Sequence, residues 1–144
     1  MKSIFLFLIA AGFSSHVFSQ TTDSTAIVQV LEKESTTWRS GDTTAHAACW
    51  QIEPYSTIIV MPPQGKTFST AADKILHPAP GTMGKGGTFV NTNYHMSIHG
   101  NGALATHDET STSVGGSVTH TFEVCMLKKI SGQWKLTGQI IQVL

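Results

Sequence analysis

Apolar positions recur every three or four residues early in this chain and at alternate positions late in it. Ile27, Val30, Leu31, Glu34 and Trp38 fall on one side of a helix, which the spacing predicts over 24–40. Gly41 can take the left-handed conformation that stops a helix. Asp42 then offers its carboxylate to the free N–H groups of a second helix. That helix, over 43–51, carries His46, Cys49 and Trp50 on one side and is closed by Pro54.

From residue 55 the pattern changes. Residues 55–61 are β-branched and aromatic and predict a strand, which Pro62-Pro63-Gln64-Gly65 turns so that 66–69 can pair back. A short helix over 69–76, capped by Ser69, follows. Residues 77–87 hold two prolines and four glycines and predict a mobile loop over the mouth of the fold. Four long strands come next, over 89–99, 103–109, 118–129 and 134–143. Gly100-Asn101-Gly102 and Ser131-Gly132 suit tight hairpins, and 110–116 reads as a polar loop. Strands joined by short turns make an antiparallel sheet, and the helices must cover one face of it. The expectation is an α+β fold in which a curved antiparallel sheet wraps around N-terminal helices to leave an open-ended cone. No repeat or linker divides it, so 20–144 is read as one domain.

The first residues differ in kind. Lys2 precedes an uncharged apolar run over 4–13, and Val17-Phe18-Ser19 supplies compact residues of the type a signal peptidase reads. Residues 1–19 are therefore expected to be a secretory signal peptide. The run is about ten residues, short of the roughly 20 that span a bilayer. The mature protein is expected to be periplasmic or secreted, with no membrane partner after cleavage. The whole chain has 9 basic and 9 acidic residues; loss of Lys2 leaves 8 against 9, a net charge of −1. No run of like charge exists to track phosphates, which argues against a nucleic-acid partner. Cys49 and Cys125 read as two buried thiols or, in an oxidising compartment, as a disulfide.

Glu34, Trp38, Gly41-Asp42, Cys49-Trp50 and Lys129-Ile130-Ser131-Gly132-Gln133-Trp134-Lys135, in this order of elements, resemble the nuclear-transport-factor-2-like superfamily, and within it the SnoaL-like branch of exported bacterial proteins. The resemblance covers nearly all of the mature chain. It implies a pocket inside the cone and a homodimer through the open sheet face. Relatives include ketosteroid isomerase, dehydratases, polyketide cyclases and proteins without catalysis, so it implies no single function. In the isomerase resemblance, Glu34 falls where the family places the tyrosine of its oxyanion hole. The isomerase base, an Asp before a proline at the end of the first strand, falls at Val60-Met61-Pro62, where Met61 cannot take a proton. The family's second acidic donor falls at Glu123 or Val124, and a one-residue shift between them reverses the face.

The residues carry candidate chemistry of their own. Glu34 lies on an otherwise apolar helix face. It is either a buried carboxyl satisfied by one partner or a pocket group whose desolvation makes it a usable acid or base. His46 can meet it if both helices line the cone, and a carboxyl–imidazole pair moves protons near neutral pH; otherwise His46 is a core histidine. Trp38, Trp50 and Tyr55 would give aromatic walls. His95 and Asp108 face the pocket or the surface, according to strand phase. His95 and His99 would stand roughly 13 Å apart on a strand, too far to share a zinc ion that sits about 2 Å from each ligand. No metal is expected. Nor is a cofactor, since the glycines around Lys85 miss the phosphate-loop spacing; the lack of G-x-S-x-G argues against an elbow-type serine hydrolase. The expected pocket is Glu34, Trp38, His46, Trp50, Tyr55, His95, Asp108 and Glu123. It would hold a small apolar or aromatic molecule without turnover. The alternative is an acid–base enzyme of isomerase, dehydratase or polyketide-cyclase type using Glu34 and His46. A cone filled by its own side chains is the third.

Overall fold

In the computed structural model, which describes residues 15–144, helix α1 spans Ser15–Ser40. It starts earlier than the apolar spacing predicts, because no glycine or proline interrupts residues 15–23. The leader expected over 1–19 lies, for residues 1–14, outside the described residues. Gly41 ends the helix at φ 72°. Helix α2 (Thr43–Ala47) follows at once, with the Asp42 side chain accepting from the Ala45 N–H. It is shorter than predicted. Beyond it the backbone turns to join the sheet: Leu136 N–H donates to the Cys49 carbonyl at 2.9 Å and Gln51 N–H to the Leu136 carbonyl at 2.8 Å.

Six strands form one sheet in the order β2-β1-β6-β5-β4-β3. They are β1 (Ile58–Met61), β2 (Phe68–Thr70), β3 (Thr88–His99), β4 (Gly102–Thr112), β5 (Val118–Ile130) and β6 (Gln133–Val143). Helix α3 (Ala72–Leu76) lies between β2 and β3. Every neighbouring pair is antiparallel except β1 and β6, which run parallel. Short turns dictate antiparallel pairing only for the strands they join, and no turn joins β1 to β6. Ser69 does not cap α3. It pairs with Ile59 in the β1–β2 ladder, and Ala71 holds the cap position without a side-chain bond. β4 runs on into the expected loop because Ser111 and Thr112 find ladder partners on both β3 and β5.

The segment 77–87 is pinned rather than loose. Gly84 N–H donates to the Trp38 carbonyl at 3.0 Å and Gly86 N–H to the Arg39 carbonyl at 2.7 Å. These satisfy carbonyls that the end of a helix leaves without intrahelical donors. The approach is so close that a Cβ on Gly84 would stand 2.8 Å from Arg39 Cα.

Helices and sheet enclose a core at one end only. Ile27, Leu31, Cys49, Trp50, Cys125, Leu127, Trp134 and Leu136 are buried together there. Asp23, near the start of α1, ties that end to the last hairpin by accepting from Lys129 Nζ at 2.6 Å and Trp134 Nε1 at 3.0 Å. Four elements then turn polar at the same level. On α1, Ile27 and Leu31 give way to Glu34 and Ser35. On β4, Ala105 gives way to His107 and Glu109. On β5, Leu127 and Cys125 give way to Glu123 and Thr121. On β6, Leu136 gives way to Thr137 and Gln139. All of these are buried. Among the described residues no helix is long and apolar enough to cross a membrane.

Candidate functional site

Beyond the polar level the cone is hollow. A cavity of about 840 Å³ opens between the end of α1, α3, the loop after it and the inner face of β1, β2 and β4–β6. Trp38, Ile58, Val60, Phe68, Ile75 and Ile141 contribute apolar walls. Its buried end is formed by Glu34, His46, Glu109, Thr121, Glu123 and Gln139; Asp73, Lys74, His77 and Thr82 lie at the exposed end.

Strand phase and helix face bring the buried groups together. Cys125, Glu123 and Thr121 share one face of β5 by alternation, and His107 on β4 stands directly opposite Glu123. Glu123 accepts from Gln139 Nε2 at 2.7 Å and from Thr121 Oγ1 at 3.1 Å. Glu109 accepts from Arg39 Nη2 and, at 2.9 Å, from Ser35 Oγ. Ser35 and Arg39 lie one turn apart on α1, so both reach the same carboxylate. The Arg39 guanidinium also lies 4.8 Å from the centre of the Phe89 ring.

Glu34 and His46 do meet, with Oε1 and Nδ1 3.5 Å apart, but without a hydrogen bond. His46 is fully buried, its ring between Trp38 and Trp50 at centroid distances of 5.5 and 6.3 Å. Glu34–His46 and His107–Glu123 (3.7 Å) are within ion-pair distance, yet burial drives each partner toward its neutral form. Glu34 is pushed up to about 8, by burial first and then by the charges of Glu123 and Glu109, with Arg39 opposing. Glu123 is pushed up to about 7, by burial and Glu109, against the hydrogen bonds from Thr121 and Gln139 and the charge of Arg39. Burial lowers His46 against an opposing pull from the Glu34 backbone. It also lowers His107, against the charges of Glu109 and Asp108. Burial therefore biases both contacts toward neutral pairs below the carboxyl values of about 8 and about 7. A neutral Glu34 can donate a hydrogen bond into the cavity, and an ionised one can accept a proton.

Of the expected pocket residues, Glu34, Trp38, His46 and Glu123 line the cavity. Trp50 lies behind His46 in the core, 5% exposed. Tyr55 does not line it; it is 58% exposed, because the turn after Pro54 precedes β1 rather than belonging to it. His95 is exposed on the outer face. The cause is the irregularity of β3 between Thr92 and His95, where Asn93 takes φ 56° and reverses the alternation. Asp108 also faces outward, accepting from Asn93 Nδ2 at 2.7 Å, and Glu109 takes the inward place. Arg39, Glu109 and Gln139 are the functional groups that the sequence patterns did not single out.

Cys49 and Cys125 are buried free thiols. Among the described residues, His107, Glu123 and Cys125 are the only group of three metal-ligand types brought together, with ligand atoms within 4.8 Å of one another. All three are buried, and the two Glu123 oxygens accept from Thr121 and Gln139.

No family model and no curated protein matches the sequence. Solved structures do match the shape. A protein of unknown function with a cystatin-like fold from Nostoc punctiforme aligns at TM-score 0.67 and 15% identity, covering 85% of this chain and 92% of that one. A nuclear-transport-factor-2-like protein of unknown function from Shewanella baltica aligns at TM-score 0.64 and 18% identity, over 91% and 98% of the two chains. A protein named "putative scytalone dehydratase" from Novosphingobium aromaticivorans aligns at TM-score 0.67 and 15% identity, over 89% and 88%. At these identities the likeness is one of fold: the chain has the nuclear-transport-factor-2-like, cystatin-like fold, with an α+β cone of curved, mostly antiparallel sheet.

Proposed function

We propose that the protein binds a small, largely apolar molecule inside the cone and holds it by a polar end, without turnover. The observation that carries this reading is the hollow itself: about 840 Å³, apolar on its walls and lined at its buried end by a few convergent polar groups. Ligand pockets have this size and character, whereas an ordinary interior is packed nearly solid. Val60 on β1 lines the hollow, so Val60→Trp should push an indole into it and obstruct binding. Native mass spectrometry of the purified protein should find a small molecule retained by the parent and lost from the variant, with melting little changed. Retention by a folded Val60→Trp protein would remove the cavity from the account.

A second reading is favoured by one observation. Glu34 and Glu123 are held near neutrality in a desolvated site, as acid–base catalysts are. In that reading, an isomerase, dehydratase or polyketide cyclase of the SnoaL-like kind, Glu34 is the acid or oxyanion donor. His46, kept neutral by burial, passes the proton. Any turnover abolished by Glu34→Gln with ligand affinity intact would favour it over simple binding.

We further propose that the chain is exported after cleavage behind Ser19 and pairs through the outer face of the sheet. Leu104 and Phe122 are exposed there on neighbouring strands, and an uncovered apolar patch invites a partner. Native mass spectrometry of protein exported with its own leader reads both points. The expected species is a dimer of chains beginning at Gln20, and Phe122→Glu should leave monomers. A monomeric parent, or one retaining Met1, would contradict the corresponding half.

A further inference from the structure

We infer that the ligand class is organic cations: an apolar body with a primary or secondary ammonium group, seated between Glu34 and Glu123 with His46 as a third acceptor. This rests on the binding reading above and names its ligand. The first support is the balance of charge around the hollow. At the buried end, Glu34 comes from α1, Glu109 from β4 and Glu123 from β5, and among the described residues the only cation there is Arg39, which is already engaged by Glu109. Asp73 and Lys74 of α3 offset each other at the exposed end, with His77 beside them. Four carboxyls against two permanent cations leave two negative charges unmatched when all are ionised. His107 and Cys125, packed behind Glu123, bring no positive charge, since burial holds the imidazole and the thiol neutral.

The second support is independent of the carboxyls. His46 lines the cavity and is fully buried; the Glu34 backbone carbonyl is near enough to draw its N–H, but neither ring nitrogen makes a hydrogen bond of ordinary geometry. A neutral imidazole presents one donor and one acceptor; the Glu34 carbonyl draws the donor, and the buried acceptor is left unmet at a cost in free energy. Once Glu34 and Glu123 are ionised they too can only accept, and the site is then short of donors. An anionic ligand is repelled by the carboxyls. A hydroxyl brings one donor; a primary ammonium group brings three, a secondary one two, and either brings the missing charge. Trp38, beside His46 on the same cavity, adds an aromatic face of the kind that attracts cations.

Binding of such a cation ionises carboxyls that are otherwise partly protonated, so protons leave as the ligand enters. Glu34 and Glu123 sit at about 8 and about 7, while an alkylammonium keeps its proton to about pH 10. The test is isothermal titration calorimetry of the full mature chain at pH 7 in phosphate and in Tris. The probes are 2-phenylethylamine, 2-phenylethanol and 3-phenylpropanoate. The amine should bind on the order of tenfold tighter than the alcohol, and the acid should not bind. The amine's enthalpy should differ between buffers, as release of roughly one proton requires. Glu34→Gln and Glu123→Gln, each checked for folding by thermal melting, should each erase most of the amine preference. The second variant keeps the test valid if the first does not fold. Equal affinity for amine and alcohol overturns the cation inference and leaves the binding reading standing. So does a buffer-independent enthalpy, or a preference that survives both substitutions. If none of the three probes binds, the cation inference fails, and the retained molecule in the Val60→Trp comparison decides the binding reading separately.

Discussion

Glu34→Gln should raise the melting temperature at pH 8 and flatten its fall between pH 6.5 and 8. The folded protein holds the Glu34 proton up to about 8, whereas an ordinary carboxyl releases it near 4.5. Between those values the folded state binds more protons than the unfolded one, so stability falls as pH rises. The contribution is complete below 4.5 and gone above 8. Glu123 acts in the same direction up to about 7. His46 and His107 act the other way: their folded affinity for protons is lowered from 6.5, so stability is lost as pH falls below 6.5. Above 6.5 the histidine contribution fades as the unfolded imidazoles lose their protons, and the carboxyls dominate. One pH unit of such linkage is worth about 1.4 kcal/mol, so Glu34 alone should account for roughly 2 kcal/mol between pH 6.5 and 8. In a domain of this size that is on the order of 5 °C or more. Differential scanning calorimetry of both proteins across this range reads it directly. Parallel pH profiles for parent and variant would sink the desolvated-carboxyl account.

Arg39→Ala should cost about 3–5 kcal/mol, the range for removing one partner of a buried ion pair. Glu109 is 7% exposed and would keep only the Ser35 hydroxyl. The loss spreads, because Arg39 also holds down Glu34 and Glu123 and covers the Phe89 ring. Adding Glu109→Gln should recover a large part of it, since the orphaned charge goes too. Lys128–Glu53 is the internal contrast, as Lys128 is 45% exposed. Lys128→Ala should cost far less than Arg39→Ala, because its ion pair is open to solvent. Urea denaturation of the three variants and the parent measures all of these. Equal small losses from Arg39→Ala and Lys128→Ala would mean that water reaches Glu109 freely and the end of the cavity is not dry.

The helical half of the site is legible in the sequence, and the strand half largely is not. Glu34 stands out because it interrupts the apolar series Ile27, Leu31 and Trp38. His46 stands out because Gly41 and Asp42 mark where its helix begins. A helix keeps its phase over its whole length, so one anchored face places every residue on it. Strands lose phase at a single irregularity. On β3, Phe89 and Asn91 are half-buried and would carry His95 inward by simple alternation; the reversal at Asn93 turns Tyr94, Met96 and Ile98 inward instead. On β4 the signal is misleading: Leu104, the large apolar residue, is 46% exposed, and the inward set is Ala105, His107 and Glu109. Reading inward from Leu104 selects Asp108 and misses Glu109. One clue was available, since Ser35 and Arg39 stand four residues apart on the face next to Glu34 and together suit a carboxylate. The β1–β6 pairing has no local signature at all, because strands paired across most of the chain leave no turn between them.

The central claim is that this fold keeps a solvent-poor hollow bounded by carboxyls which retain their protons near neutral pH. Site-resolved ¹³C titration of the glutamate side-chain carboxyls by NMR tests it most directly. The account predicts two carboxyls, assigned to Glu34 and Glu123 by their disappearance in the Gln variants, titrating near 8 and near 7. Every glutamate titrating close to 4.5 would contradict it.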